Sequence, residues 1–219
     1  QYGADARIIA GGTALVQAMK LRLERPEHLV AIHCIPKLDG IQRSNGELRI
    51  GALATHREIE TSTLVREQLP LLAETYRHVA TVRIRNVATV GGGLAHADPA
   101  QDPEPALIVL GARVHLASPA GTRAVAIEEL STDYLETVIA ANEVLTEVLV
   151  PIPPPNTGTA FLKFLPRTAD DYATVAIAAS LTMDADGNCQ EVRIAVGSCG
   201  ATAVRPHKAE AILQGRAPT

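Results

Sequence analysis

The stretch "TVGGGLAHADPAQD", residues 89–102, places three consecutive glycines before a histidine and two aspartates. One glycine is enough for a turn, so Gly91, Gly92 and Gly93 together indicate that another group approaches the main chain closely. The residues before the stretch are typical of a strand, and the apolar run after it is typical of a helix. We therefore predict a glycine loop here, with the Thr89 hydroxyl beside it.

A second glycine stretch, "AGGTAL", occupies residues 10–15. It follows a predicted strand at 7–10 and precedes a helical stripe of Leu15, Met19 and Leu23. A turn of this kind directs backbone N–H groups and the positive end of a helix at one point, which favours an anion. Taken alone it is a common turn, because it matches neither a Walker A sequence nor GxGxxG. Two such stretches favour a long ligand with a diphosphate over a single phosphate.

The pattern around these stretches mixes strands and helices. An "SNG" turn at residues 44–46 predicts a hairpin, and residues 55–79 read as one helical run that begins with a capping box. A second hairpin is predicted over 113–127, and a strand over 143–152.

A change of character follows "PPPNTG", residues 153–158, which is typical of a linker. Beyond it, residues 175–183 alternate apolar and polar positions, and a returning strand is predicted over 192–196. A final helix is predicted over 205–215, with Gly215 just after its end. These features predict a separate, incomplete α+β domain.

Composition excludes several classes of protein. The 219 residues are 47% hydrophobic and 20% charged, with a formal net charge of −4. This balance gives no electrostatic attraction to nucleic acid or to a membrane surface, and no apolar run is long enough to span a bilayer. The three cysteines form no CxxC pair, so we expect neither a disulfide framework nor an iron–sulfur cluster but buried, reduced thiols in a cytoplasmic protein.

Four segments carry a family resemblance in their order and spacing. They are "RIIAGGTALVQAMK", "LRIGALATHREIE", "TVRIRNVATVGGGLAHADPAQDPEPALIVLGA" and "EVLTEVLVPIP". Together they resemble the FAD-binding (medium) subunit of molybdenum hydroxylases, the group of carbon monoxide dehydrogenase and xanthine dehydrogenase. The resemblance implies an α+β fold, with a two-part FAD-binding domain of the PCMH (vanillyl-alcohol-oxidase-like) type over 1–55 and 56–152. A smaller, truncated α+β domain over 159–219 would follow.

The resemblance also implies FAD as the cofactor and names the residues around it. No catalytic residue and no metal ligand is implied. Because phosphate would repel a carboxylate, we expect Asp102 to accept a hydrogen bond from a ribose or ribityl hydroxyl. The expected cofactor-binding residues are Ala10, Gly11, Gly12, Thr13, Ala14, Leu15, Thr89, Gly91, Gly92, Gly93, His96, Asp102, Leu149, Lys163 and Tyr172.

The implied function is electron transfer. The subunit would pass electrons from the [2Fe-2S] clusters of a small partner subunit, through FAD, to NAD, a quinone or oxygen, while a large partner subunit holds molybdopterin. Two alternatives stay open: a self-contained flavin oxidase or dehydrogenase, and an assembly subunit that has lost its cofactor. The second is favoured by Ala14 and Gly93, where many relatives carry polar side chains.

Two further segments are ambiguous in the sequence. "RIRNVAT", with Arg83 and Arg85, is typical of a solvated face and is equally compatible with a docking surface for a partner subunit. "RTADDY", residues 167–172, is compatible with a turn that starts a helix or with the rim of a pocket.

Overall fold

A computed structural model describes residues 3–166 and 171–218. The "RTADDY" segment therefore lies outside the described residues at positions 167–170. Within the described ranges, no helix is both long and apolar enough to cross a membrane. The three cysteines are free, and only Cys189 is buried, so the expectation of buried thiols is wrong for Cys34 and Cys199.

The N-terminal part is a small α/β unit. Strands β1 (Ala6–Ile9) and β2 (His28–Ala31) pair in parallel, and helix α1 (Leu15–Lys20) lies between them in the chain. The predicted apolar stripe does not form a core, because α1 buries no residue and Leu23 is 76% exposed. The first glycine turn nevertheless joins a strand to a helix, as predicted.

A five-stranded antiparallel sheet forms the centre of the molecule. Its spatial order is β3-β4-β9-β5-β6. One face carries the main core, because the alternate residues Leu48, Ile50, Val148 and Val150 are fully or almost fully buried. Both predicted hairpins and the predicted strand at 143–152 are confirmed. The strands are β3 (Ile41–Ser44), β4 (Glu47–Gly51), β5 (Arg113–Ser118), β6 (Gly121–Ala126) and β9 (Val144–Pro151), with the short pair β7 (Ser131–Asp133) and β8 (Glu136–Thr137) nearby.

The helical run after the first hairpin is three helices rather than one. They are α2 (His56–Thr61), α3 (Thr63–Gln68) and α4 (Pro70–Arg77). The predicted capping box of Thr55 and Glu58 is present at the start of α2. The run breaks because Ser62 is extended and caps α3 through the Val65 amide, and because Pro70 begins a new helix.

The triple-glycine stretch forms a helix, and the prediction of a loop that follows a strand is wrong. Helix α5 (Val82–Arg85) precedes it, and α6 (Val90–His96) contains all three glycines. Thr89 caps α6, since its hydroxyl oxygen accepts a hydrogen bond from the Gly92 amide at 3.2 Å. The apolar helix predicted next is confirmed as α7 (Pro103–Val109).

The C-terminal part is a three-stranded antiparallel sheet and one helix. The strands are β10 (Thr157–Phe164), β11 (Val175–Met183) and β12 (Cys189–Gly197), and the helix is α8 (His207–Leu213). The sequence predicts β11, β12 and α8 but misses β10, which begins inside the predicted linker. Gly215 has the positive φ expected just after a helix.

This second sheet packs on α7 through small residues. Ala178 and Ala195 are fully buried and belong to the same core cluster as Leu107 of α7. The approach is close: a Cβ on Gly197 would lie 2.7 Å from Cγ of Pro105. The two sheets thus share one core across α7, which brings β10 to the edge of the first sheet's helices.

Candidate functional site

The structure brings the two glycine stretches together. A Cβ on Gly11 would overlap the carbonyl oxygen of Val87 and lie 3.1 Å from Cα of Ala88. A Cβ on Gly92 would lie 4.0 Å from Cβ of Ala10. The first glycine turn therefore rests directly on the main chain that leads into α6. Only glycine allows this at position 11.

The first turn offers unused hydrogen-bond donors. Gly12 adopts a φ of +73°, and no side chain caps α1. Within the described parts of the chain, five consecutive backbone N–H groups have no acceptor, and these belong to Gly11, Gly12, Thr13, Ala14 and Leu15. Since Thr13 does not cap the helix and is exposed, its hydroxyl is available as well. Such an array of N–H groups at a helix start is suited to an anion.

The second stretch uses its amides inside the chain. The Val90 and Gly91 N–H groups donate to the carbonyl oxygens of Ala54 and Ala52, at 2.9 and 2.8 Å. The Gly93 amide donates to the Thr89 carbonyl at 3.0 Å. The backbone amides of this stretch are thus already used as donors and are not available to a diphosphate in this structure. What remains is the Thr89 hydroxyl hydrogen and the bare backbone surface at Gly92, which is exposed.

Asp102 and Lys163 form a buried ion pair between the two parts of the chain. The Lys163 ammonium donates to Oδ2 of Asp102 at 2.8 Å and to the His78 carbonyl at 2.9 Å. Their side chains are only 5% and 3% exposed. Because β10 places this lysine beside the end of α4 and the start of α7, a site there takes residues from both parts of the chain.

Asp102 keeps one oxygen available. Its Oδ1 is buried and has no hydrogen-bond partner among the described residues. Burial raises the pKa of Asp102, although the hydrogen bond and the charge of Lys163 oppose that rise. A carboxylate oxygen in this state is suited to accept a hydrogen bond from a ligand hydroxyl.

The space beside Gly93 contains polar groups that the sequence analysis missed. A Cβ on Gly93 would lie 3.4 Å from Oε1 of Gln101 and 3.6 Å from Nε2 of His56. Burial lowers the pKa of His56 to about 4, while the Thr89 backbone raises it and the Arg85 charge lowers it further. The only sequence signal for His56 is its place directly after the N-cap Thr55. Gln101 gives none beyond its position before Asp102.

The structure brings only some of the other expected residues close to this group. His96 is exposed at the end of α6. Tyr172 is 63% exposed, and partial burial together with a hydrogen bond from its hydroxyl to Asp98 raises its pKa. Leu149 is buried on β9, where its cross-strand neighbours are Arg49 and Arg113 rather than the glycines.

FAD fits the donors and acceptors that are present. Its diphosphate needs N–H and O–H donors, and the first turn supplies five free amides without a lysine or arginine. Its sugar and ribityl hydroxyls need acceptors, and the unpartnered Oδ1 of Asp102 is one. Among the described residues, no group of three or more His, Cys, Asp or Glu is placed to hold a metal ion.

Comparison with known families agrees with this chemistry. The family described as "FAD binding domain in molybdopterin dehydrogenase" matches residues 1–153. The family described as "CO dehydrogenase flavoprotein C-terminal domain" matches residues 160–219.

Individual relatives cover the whole chain. The alpha subunit of the 6-hydroxypseudooxynicotine dehydrogenase complex of Paenarthrobacter nicotinovorans is 40% identical over 211 residues, which are 96% of this chain and 71% of the relative. The carbon monoxide dehydrogenase medium chain of Hydrogenophaga pseudoflava is 36% identical over 220 residues, which are 100% of this chain and 76% of the relative.

A solved structure of carbon monoxide dehydrogenase from Hydrogenophaga pseudoflava superimposes with a TM-score of 0.96. The aligned chains are 37% identical, and the match covers 100% of this chain and 76% of that one. The fold class predicted from the sequence, an FAD-binding domain followed by a smaller C-terminal domain, is confirmed. On this fold, with its unused amides beside a buried carboxylate, the chain belongs to the FAD-binding (medium) subunits of the molybdenum hydroxylases, FAD-dependent components of heteromeric oxidoreductases.

Proposed function

We propose that this chain transfers electrons, within such a heteromer, from the [2Fe-2S] clusters of a small subunit to an external acceptor. A large subunit would hold molybdopterin and oxidise the substrate. The bound FAD would supply the redox chemistry, since a flavin exchanges electrons singly with clusters and in pairs with an acceptor. The observation that carries the proposal is the row of unused amides at Gly11–Leu15, placed against the start of α6.

The residues of this chain would then bind and orient the cofactor. We assign the diphosphate to the amides of residues 11–15 and the hydroxyls of Thr13 and Thr89, and a ribose or ribityl hydroxyl to Asp102. Lys163 would keep Asp102 ionised and in place. Gly92 and Gly93 would contribute a backbone surface without side chains, with the methyl group of Ala10 beside it and Gly91 packed underneath on Ala52. His96, Leu149 and Tyr172 complete the proposed set, at the edges of the site.

We also propose the kind of electron acceptor, the cellular compartment and the division of the chain into domains. An exposed tyrosine at position 172 suits the planar ring of NAD or a quinone as the acceptor. Three free cysteines favour a reducing compartment, and we propose the cytoplasm. We keep the division into 1–55, 56–152 and 159–219 as a proposal, with the first two as subdomains that share the five-stranded sheet.

The test is flavin binding by the purified complex. We expect flavin absorbance near about 450 nm, and loss of the flavin in a Gly11→Asp variant because its side chain would displace the turn from the Val87 carbonyl and bring a carboxylate toward the diphosphate. Gly158→Asp is the matched control, since a Cβ there has no atom within 4 Å. Full flavin occupancy in Gly11→Asp would contradict the assignment of the first turn.

The same preparation separates the alternatives. Reduction of the flavin in the isolated chain by a small organic substrate would favour a self-contained oxidase. A colourless complex with the normal ratio of subunits would favour an assembly subunit without cofactor.

A further inference from the structure

We infer that Arg85 is a positioning residue for the cofactor site: it fixes the segment of residues 79–88, called here the platform segment, on which the first glycine turn rests. The inference depends on the proposed function, since it concerns how the cofactor-binding turn is held. The "RIRNVAT" segment is predicted to be a solvated face or a docking surface, and Arg83 is indeed exposed, whereas Arg85 turns inward.

Arg85 is partly buried and makes three hydrogen bonds. Its side chain is 11% exposed. Its Nε donates to Oε2 of Glu60 at 2.9 Å, and its Nη1 donates to the carbonyl oxygens of Val79 and Ala80, both at 2.7 Å. Ala80 has a φ of +42°, a left-handed conformation that an alanine adopts only when its surroundings enforce it. The guanidinium thus links the end of the platform segment to the carbonyl groups at its beginning.

Glu60 connects that arginine to α2. Arg57 donates to the other Glu60 oxygen at 2.8 Å, so the carboxylate has a cation on each oxygen. Burial alone would raise the pKa of Glu60, but the hydrogen bonds and charges of Arg57 and Arg85 outweigh it and lower the pKa. Glu60 therefore stays ionised at neutral pH and gives Arg85 a fixed acceptor.

The platform segment reaches the glycine turn two residues after Arg85. The carbonyl of Val87 faces the Cα of Gly11 so closely that no side chain fits between them. Ala88 is held from both sides, because its N–H donates to the Ile84 carbonyl at 2.8 Å and its C=O accepts from the His56 N–H at 2.9 Å. A shift of this segment would move the turn that presents the five free amides.

Arginine suits this position better than lysine. One planar guanidinium reaches a carboxylate and two carbonyl oxygens at once, whereas an ammonium on a flexible stem is a single point donor. We expect Arg85→Lys to keep the pair with Glu60 and to lose part of the contact with the Val79 and Ala80 carbonyls.

The experiment measures FAD affinity and stability separately in the assembled protein. FAD is removed, and its dissociation constant is measured by flavin fluorescence in wild type, Arg85→Gln and Arg85→Lys, with the melting temperature of each apoprotein. Arg205→Gln is the matched control, because the Arg205 side chain is also poorly exposed and pairs with two carboxylates, Glu210 and Glu128, that take no part in the proposed cofactor site. We expect Arg85→Gln to raise the dissociation constant about tenfold or more, Arg85→Lys to raise it less, and Arg205→Gln to lower the melting temperature with little change in affinity.

Two results would overturn the inference. One is an unchanged FAD dissociation constant in Arg85→Gln; the other is a rise that Arg205→Gln matches at the same loss of melting temperature. If Arg85→Gln does not fold, Arg85→Lys decides, through faster amide hydrogen exchange at residues 79–88 together with weaker FAD binding. A wild-type complex that binds no FAD would instead refute the proposed function.

Discussion

Single residues in the two glycine stretches have different reasons to be glycine. Gly11 lacks room for a side chain because of the Val87 carbonyl, and Gly91 because a Cβ would lie 2.6 Å from Cβ of Ala52. Gly93 has no such neighbour. The sequence predicted that something approaches these glycines closely, and for Gly11 and Gly91 the structure identifies the chain itself as the nearest group. No pattern in one sequence distinguishes these cases, since the distant residues 52 and 87 decide them.

The contrast predicts opposite effects of one substitution. Gly11→Ala should displace the first turn from residue 87, lowering stability and FAD affinity together. Gly93→Ala should stabilise the protein by about 1 kcal/mol, because alanine is the better helix former and its Cβ meets only ordinary contacts. Chemical denaturation of both variants, with flavin occupancy, checks this. A stabilised Gly11→Ala variant would contradict the close approach.

His56 predicts a pH dependence of stability. Its pKa falls from 6.5 to about 4 on folding, so between these values the unfolded chain binds more protons than the folded one. Stability should therefore decrease as the pH is lowered from 6.5 to 4, by on the order of 3 kcal/mol from this group. In His56→Phe that part of the slope should disappear, whereas the exposed His33→Gln should retain it. Urea unfolding at several pH values measures this slope in the wild type and in the two variants. Equal slopes in all three proteins would refute the assignment of the pH dependence to His56.

At the scale of elements, the sequence predicted where helices and hairpins begin better than it predicted how long they are. The capping box at Thr55 and the turn at Asn45–Gly46 act within a few residues, so the sequence contains them complete. The division of residues 55–79 into three helices follows local signals as well, the cap at Ser62 and the proline that begins α4, but neither residue type by itself forces a break. Strand β10 was missed because its exposed positions include Leu162 and Phe164, whereas its inward positions include Lys163. Alternation is then invisible.

Helix α6 has three glycines directly after its first residue, and because glycine is a poor helix former, the cap of this helix should matter more than usual. Thr89→Ala removes the acceptor of the Gly92 amide and should lower stability by about 1 kcal/mol. Thr89→Ser keeps the hydroxyl and serves as the control. We expect FAD affinity to fall only in the alanine variant, because the hydroxyl is also a proposed donor to the diphosphate. Thermal unfolding and flavin titration measure the two effects, and equal FAD affinity in both variants would exclude that second role.

At the scale of the whole molecule, the buried pair of Asp102 and Lys163 joins strand β10 of the second sheet to the start of helix α7. Lys163→Met would leave a buried carboxylate without its cation and should destabilise the protein by about 3–5 kcal/mol. Arg49→Met, which breaks the more exposed pair with Glu147, should change stability by about 1 kcal/mol or less. Denaturant unfolding compares them, and Asp102→Asn added to Lys163→Met should recover part of the loss. Equal costs for the two single variants would show that burial does not govern this pair.

The overall architecture was predictable from sequence because its motifs are local and ordered along the chain. The candidate site was predictable only in part. Asp102, Lys163 and the first turn were named from their motifs, whereas His56, Gln101 and Arg85 matter through contacts with residues far away in sequence. The amides of residues 11–15 have no acceptor, whereas those of Val90, Gly91 and Gly93 are hydrogen-bonded within the chain. This difference depends on tertiary contacts, which the sequence does not show.

Lys163 lies 61 residues after its partner Asp102 and 85 after the carbonyl that it also contacts. During synthesis on the ribosome, both glycine stretches therefore emerge well before Lys163, the lysine that pairs with Asp102 in the proposed site. A nascent chain would hold the nucleotide weakly until β10 has left the exit tunnel and docked, so cofactor loading should follow the docking of β10.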